Sequence, residues 1–283
     1  MPRTRFFNGI LFALVIAVTL LCGGRQVSAQ QRPLATEDPE PIGAGRFLVE
    51  GGFDWTDGRE YPASGLTGDL LRVPLVGISI GLGAIAELQI DGGFYNRLSI
   101  SSAVDAPLSS MLDLDGGDTS DVEDLVVATK VRFLSEAAGR PGMAVRFATR
   151  LPNASNESGL GLDTTDFIAT LLVGKTVGSF RVVGNVGLGI LGNPLRGDDQ
   201  NDVLIYGVSG AYAFTDRTEF VSEVEGQAHT AGGEAPPGTG SRAAVRLGGR
   251  YTYGPGRLDA ALLLGLTDTA GNWGVAAGYT HVF

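Results

Sequence analysis

The chain has 283 residues, with 31 acidic and 21 basic side chains and a formal net charge of −10. This acidic balance makes it a poor candidate for binding nucleic acid, which requires a basic surface. Its 43 glycines and 43% hydrophobic content are typical of a sheet with one lipid face and one wet face. Cys22 is the only cysteine and falls in a segment expected to be removed, which excludes disulfides and thiolate sites from the mature chain.

The N-terminus has the pattern of a secretory signal peptide over residues 1–29. Arg3 and Arg5 precede an apolar stretch, and Val27-Ser28-Ala29 supplies small residues before a cut. The apolar stretch is shorter than the ~20 residues that a spanning helix needs, so a membrane anchor is the weaker interpretation. A lipoprotein signal is also disfavoured, because the bulky Leu21 precedes Cys22. Residues 30–44 are predicted to form an extended periplasmic lead-in.

Residues 45–283 are predicted to form an all-β, transmembrane, antiparallel up-and-down β-barrel of about 12 strands. Alternating apolar and polar side chains mark segments long enough to cross a bilayer, and the connections between them alternate between short turns and longer loops. A soluble meander or sandwich has no reason to alternate its connections in this way. The predicted segments are 45–57, 69–81, 85–98, 122–135, 142–151, 164–175, 179–191, 202–214, 217–228, 241–253, 257–267 and 272–283.

The last strand ends as outer-membrane strands do, with alternating large and small residues up to a terminal Phe283. This ending predicts recognition by the barrel-assembly machinery and a location in the bacterial outer membrane. Lipid and lipopolysaccharide are then the expected partners of the outer surface. The aromatic residues expected at the membrane interfaces are Trp55, Tyr251, Tyr253, Trp273, Tyr279 and Phe283.

Charged side chains fall on the face of the strands opposite the apolar one, and are predicted to line the lumen. An acidic ladder on one strand is predicted to lie beside a basic ladder on the next strand. A second basic cluster includes Arg146 and Arg150, which are expected to be its more solvated members. Tyr95 and Arg97 are also expected inside. Two interpretations stay open: interior ion pairs that only stabilise the wall, or charges that set the field of a pore. The predicted lumen-lining residues are Glu50, Asp54, Glu87, Asp91, Lys130, Arg132, Arg146, Arg150, Glu219, Glu223, Glu225, Arg242, Arg246 and Arg250.

Two segments could obstruct a lumen of this width. The loop from Ser99 to Asp121 either folds inward or lies on the surface, and the segment from Gln30 to Gly45 either tucks up from the periplasm or stays a disordered lead-in. A barrel of about twelve strands is wider than one filled by side chains and narrower than a general porin. It could hold or pass one small solute.

The sequence gives little support for catalysis, a cofactor or a metal. A hydrolase triad needs a histidine base, and only His229 and His281 follow the signal peptide, neither within a motif. The acidic run from Asp113 to Asp118 has oxygen ligands that could hold Ca²⁺, but it lacks EF-hand spacing and is more simply a solvated loop. No catalytic residue, cofactor or metal site is therefore expected.

Several short motifs resemble a known family of outer-membrane proteins. They are the start from Arg32 to Asp38 followed by Gly43 to Phe47, then Gly117-Asp118 ahead of Lys130, Arg150-Leu151-Pro152, and Asn185-Val186-Gly187. These features resemble the family called the MetA pathway of phenol degradation. In this chain an acidic stretch separates Gly117-Asp118 from Lys130, which leaves that register open. The resemblance implies an outer-membrane barrel that admits small aromatic or apolar compounds, and it carries no catalytic residues.

The leading functional hypothesis is a passive channel or uptake barrel for small solutes. A structural or surface-interaction barrel is the alternative, and an outer-membrane enzyme is the weakest of the three.

Overall fold

The computed structural model describes residues 32–114 and 116–283. The predicted signal peptide, residues 1–29, and the first two residues of the lead-in lie outside the described residues, as does Asp115 of the acidic loop. Among the residues described, no helix is long and apolar enough to cross a membrane.

The described chain is built from antiparallel β-strands joined in sequence order. Interruptions divide the third and fourth strands into two segments each. The strands are β1 (Phe47–Tyr61), β2 (Leu66–Gly81), β3 (Ala86–Gly93 and Asn96–Ala103), β4 (Asp118–Asp121 and Leu125–Leu134), β5 (Gly142–Leu151), β6 (Asp166–Val177), β7 (Phe180–Gly192), β8 (Gln200–Ala213), β9 (Thr218–His229), β10 (Arg242–Tyr253), β11 (Gly256–Gly265) and β12 (Trp273–Val282).

The sheet closes on itself because the first strand pairs with the last. Leu48 of β1 lies opposite Val282 of β12, and the pairing continues to Thr56 opposite Gly274. Each other strand pairs with its neighbours in the chain. Closure leaves no unpaired edge, which a sheet in lipid requires because water is absent there. The predicted closed barrel of twelve antiparallel strands is confirmed.

The connections alternate in length, as the sequence predicts. The longest are 104–117, 152–165 and 230–241 at one end, whereas the opposite end has turns such as 178–179 and 254–255. The end with short turns also carries the start of β1 and the end of β12, so it is the periplasmic end. One predicted loop, 58–68, is shorter than expected, because β1 continues to Tyr61 and β2 begins at Leu66.

The two faces of the wall differ in chemistry. Phe47, Phe147 and Phe167 point outward and are about half exposed, while Glu87 and Lys130 point inward and are almost fully buried. Between β4 and β7 the outer wall has an apolar hollow of about 400 Å³ bordered by Phe147 and Phe167. An apolar outer face is what the acyl chains of a membrane contact.

The predicted facing of β3 is wrong beyond its midpoint. Phe94 and Tyr95 interrupt the strand opposite Val73 and Pro74, and pairing resumes with Asn96 opposite Arg72. The inward-facing residues are odd-numbered before this point and even-numbered after it, so the alternation reverses here. Arg97 is therefore on the outer face, where it pairs with Asp118, and Tyr95 is exposed. The side chain turned inward is Leu98, which is fully buried.

The two tryptophans provide a direct test of the outer face. Trp55 and Trp273 lie on neighbouring strands with ring centroids 5.1 Å apart at 70°. If this pair lies at the membrane interface, lipids brominated near the headgroup should quench tryptophan fluorescence more than lipids brominated at the chain end. A Trp55→Phe variant should keep this order for Trp273. Stronger quenching from the chain end would contradict the placement.

Candidate functional site

Residues 32–44, here called the plug, lie inside the barrel against its inner wall. The chain leaves the wall at the periplasmic end, where Gly45 donates its amide to the carbonyl of Gly81 at 2.9 Å. Gly43 and Gly45 have φ of +98° and +70°, a backbone conformation that favours glycine. The sharp turn they make sends the preceding residues inward. The plug thus corresponds to the inward alternative for the lead-in, and not to an extended periplasmic segment.

Glu223 of β9 holds the plug by its backbone. One carboxylate oxygen accepts from the amide of Ala35 at 2.7 Å, and the other accepts from the amide and hydroxyl of Thr36 at 2.8 and 2.6 Å. Arg246 of β10 also donates to Glu223 at 2.6 Å. The predicted acidic ladder is therefore more than a set of cross-strand partners, because one of its members binds the plug.

Glu37 lies at the centre of the plug contacts. Its carboxylate accepts from Lys130 Nζ and from Gln89 Nε2, each at 2.8 Å. Burial alone would raise the pKa of Glu37, but Lys130 and Arg146 hold it below its ordinary value. Lys130 also pairs with Glu87 at 3.0 Å. A cavity of about 20 Å³, enough for about one water, lies beside these side chains.

Asn185 of β7 binds the backbone of Glu37 both as an acceptor and as a donor. Its side-chain oxygen accepts from the amide of Glu37 at 2.7 Å, and its side-chain nitrogen donates to the carbonyl of Glu37 at 2.8 Å. A neighbouring strand would make the same two hydrogen bonds with the backbone amide and carbonyl of Glu37. The buried backbone of the plug is thereby satisfied without joining the sheet.

The next residues of the plug are held by arginines. Arg181 of β7 donates to both carboxylate oxygens of Asp38, at 2.5 and 2.7 Å, and to Glu136 at 3.0 Å. Arg132 of β4 pairs with Glu40. Bidentate arginine–carboxylate pairs are among the stronger polar contacts in proteins. The plug carboxylates therefore neutralise cations on β4 and β7.

Arg32 begins the described part of the plug and crosses to the opposite wall. Its guanidinium donates to the carbonyl of Ala277 at 3.0 Å and lies 3.6 Å from Asp259. Its carbonyl accepts from Arg250 and Arg257, at 2.8 and 3.1 Å. A β-carbon on Gly52 or Gly278 would overlap the Arg32 guanidinium, so these glycines leave room for it.

The second predicted basic cluster is largely paired. Arg146 donates to Gln89 at 2.7 Å and lies 3.7 Å from Asp91. Arg150 pairs with Asp166 and lies 3.9 Å from Asp124. The expectation that Arg146 and Arg150 are a solvated pair therefore needs revision. Of the two, Arg150 is the more accessible, with 33% of its side chain exposed.

The acidic and basic ladders of β9 and β10 lie in register. Glu219 is opposite Arg250 and Glu223 is opposite Arg246, whereas Arg242 is opposite the neutral Gln227. Glu219 lies 3.8 Å from Arg250, and Glu225 lies 3.6 Å from Arg246. In β1, Asp54 pairs with Arg72 of β2, and Glu50 lies 3.8 Å from Arg257.

The extracellular mouth is apolar. Leu66, Leu70 and Leu98 point inward, and Leu112 and Leu160 from the loops pack against them. The loops are joined by a backbone hydrogen bond, in which the amide of Asp113 donates to the carbonyl of Glu157 at 2.9 Å. The loop after β3 therefore folds over the mouth. The lumen is narrowed from above by these loops and from below by the plug.

Neither histidine has a catalytic arrangement in the described structure. His229 Nδ1 lies 2.7 Å from the side-chain oxygen of Asn201, and His281 Nδ1 lies 2.9 Å from the hydroxyl of Tyr279. Across 32–114 and 116–283, no group of three or more His, Cys, Asp or Glu side chains could hold a metal ion. The acidic loop proposed for Ca²⁺ includes Asp115, which lies outside the described residues.

Several residues that line the lumen or contact the wall were not predicted from the sequence. Arg181 and Asn185 lie on the same face of β7, and Arg72 and Asp166 would have been found by assigning the facing of β2 and β6. Alternation could thus have placed these four inside. Glu37 and Asp38 gave no comparable signal, because the plug follows no regular alternation.

The buried pair of Arg181 and Asp38 allows a quantitative test. Arg181→Met leaves the carboxylate of Asp38 without its cation, whereas Glu136 keeps Lys175 at 3.4 Å, so we expect the free energy of unfolding to fall by about 3 kcal/mol. The matched control is Arg97→Gln, which removes a solvent-exposed pair on the outer face and should leave the free energy of unfolding nearly unchanged. Equilibrium urea unfolding in phospholipid vesicles measures both. Equal losses would show that the plug contacts do not hold the structure.

Solved structures share this architecture. The barrel is similar to the COG4313 outer membrane channel from Pseudomonas putida F1, with a TM-score of 0.64 and 16% identity over 87% of this chain and 98% of that chain. It is also similar to the translocator domain of autotransporter NalP from Neisseria meningitidis, with a TM-score of 0.50 and 14% identity over 85% and 89%. These likenesses show the fold, which agrees with the predicted outer-membrane location.

No curated protein matches the chain in sequence. One family model does, over residues 36–283, which include most of the plug and the whole barrel. The resemblance seen in the short motifs is thereby confirmed. The chain belongs to the family described as "Putative MetA-pathway of phenol degradation".

Proposed function

We propose that the protein is an outer-membrane channel for small solutes in which the plug acts as a gate. The observation that carries this proposal is how the plug is attached. Glu223, Asn185 and Glu87 bind its backbone amides through their side chains, and Lys130 and Arg181 bind its carboxylates. A segment held in this way can leave without breaking the hydrogen bonds of the sheet.

The wall beneath the plug can stay folded when the plug moves. Lys130 keeps Glu87 at 3.0 Å, Arg181 keeps Glu136 at 3.0 Å, and Arg246 keeps Glu223 at 2.6 Å. Each of these wall cations therefore retains an acidic partner on the barrel itself. Displacement of the plug would expose paired charges to water, which costs less than leaving buried charges unpaired.

Some charged side chains of the lumen are partly accessible to water. Asp91 faces the lumen with 40% of its side chain accessible, and Arg72 does so with 28%. Inward-facing charged groups with this much access support a wet interior. The leucines of the mouth would favour a solute with an apolar or aromatic body, the substrate class that the family resemblance implies.

The partners of the outer surface are also proposals. Phe283 is 70% exposed, and its backbone amide donates to the carbonyl of Phe47 at 2.7 Å, where β12 meets β1. We propose that the assembly machinery recognises this terminal strand, and that lipopolysaccharide surrounds the extracellular rim. We propose no catalytic role: the ring of His229 contacts Asn201 and the ring of His281 contacts Tyr279, whereas Ser241 is bound by the backbone amide of His229 and not by its ring.

The gate is tested by weakening the plug while keeping the wall intact. Glu37→Gln/Asp38→Asn removes both plug carboxylates that pair with Lys130 and Arg181. We expect brief openings in the wild type and longer, larger openings in the variant, measured as single-channel conductance in planar bilayers. The matched control is Asp198→Asn/Glu234→Gln, which makes the same charge change at exposed loop positions and should behave as wild type.

Identical traces from the plug variant and the wild type would contradict the gate. Silence in every variant, with each barrel shown to be folded, would favour the structural or surface-interaction role instead.

A further inference from the structure

Two arginines of the lumen have no acidic partner. Arg59 is near the extracellular end of β1, opposite Gly68, and Arg242 begins β10 opposite Gln227. Both side chains face inward. In the part of the chain that the structure describes, neither guanidinium makes a hydrogen bond or ion pair, and the Nε atom of Arg59 is buried without a partner.

Their neighbours cannot neutralise them. Arg72 occupies Asp54 and Glu123, and Arg150 occupies Asp166 and Asp124. The carboxylate that acts most strongly on Arg242 is Glu225, which already lies 3.6 Å from Arg246.

The two arginines also act on each other. They lie at the same level of the barrel, because the connection after β11 bonds both strands there: Leu266 donates its amide to the carbonyl of Ala243, and Asn272 donates its amide to the carbonyl of Asp57, each at 2.9 Å. Like charges at one level of the lumen repel. Partly buried cations that lack a counter-charge are costly, because they lose hydration without gaining an ion pair. The extracellular half of the lumen therefore has an excess of positive charge at this level.

An apolar surface adjoins the arginine pair. Tyr61 follows Arg59 on the same face of β1 and packs against the leucine cluster of the mouth, which contains Leu66, Leu70 and Leu98. A bound molecule at this position would meet guanidinium groups at one end and leucine and tyrosine side chains at the other. An anion that is hydrated on all sides would leave that apolar surface unused.

We propose that Arg59 and Arg242 form a binding site for the carboxylate of a small amphiphilic acid, with an aromatic or aliphatic body against Tyr61 and the leucine cluster. Guanidinium groups bind carboxylates through paired, charge-assisted hydrogen bonds. The site lies between the mouth and the plug, so it would hold a solute before the gate opens. Its place in transport rests on the proposed function, whereas binding can be tested separately.

The test compares an acid with its neutral analogue at equilibrium. The full barrel in detergent is titrated with 4-fluorobenzoate and with 4-fluorobenzamide, and binding is followed by ¹⁹F NMR. We expect the wild type to bind the acid about tenfold or more tightly than the amide. Arg59→Gln/Arg242→Gln should lose this preference, whereas Arg97→Gln, on the outer face, should keep it.

The double variant is expected to fold, because it removes two cations that repel each other. Circular dichroism and heat-modifiable migration on gels check this, and the single variant Arg242→Gln should lose part of the preference. Equal binding of acid and amide by the wild type, no binding of either, or an unchanged preference in the folded double variant would each overturn the proposal. Because no transport is measured, these outcomes are distinct from failure of the gate.

Discussion

The structure depends on matching charges across the interior of a closed wall. Closure turns one face of every strand away from lipid, and on β4 and β7 that face carries Lys130, Arg132 and Arg181. Such cations are costly in a confined space unless carboxylates lie beside them. Glu37, Glu40 and Asp38 of the plug provide these, so the segment that obstructs the lumen also neutralises its wall.

The two halves of the lumen differ in how far their inward-facing cations are neutralised. In the periplasmic half, the plug adds carboxylates to those already on the wall, and the cations are paired at close range. In the extracellular half the described part of the plug is absent, and Arg59 and Arg242 are left with a surplus of positive charge beneath the leucine cluster. This asymmetry gives the interior a direction: an apolar mouth, a cationic level and a plug held by ion pairs.

Much of the barrel could be predicted from sequence, because strand alternation and loop length are local properties. The same alternation placed the acidic residues of β9 beside the basic residues of β10 on the inner face, whereas the pairing of Glu223 with Arg246 depends on the register that the structure shows. The reversal at Phe94 and Tyr95 could not be predicted, since an interruption leaves the apolar pattern on either side intact. Nor could the docking of the plug, because Glu37 meets Lys130 and Asn185 only after the barrel has closed around it.

A reversible lock on the plug tests the gate most directly. A β-carbon built on Gly207 of β8 lies 3.8 Å from the β-carbon of Thr36, a separation typical of disulfides. In protein produced without residues 1–29, Thr36→Cys/Gly207→Cys would contain the only two cysteines. The account predicts that single-channel openings cease when this pair is oxidised and return on reduction, while each single-cysteine variant is insensitive to both treatments. Openings that persist in the oxidised double variant would show that solutes pass without movement of the plug, and would contradict the account.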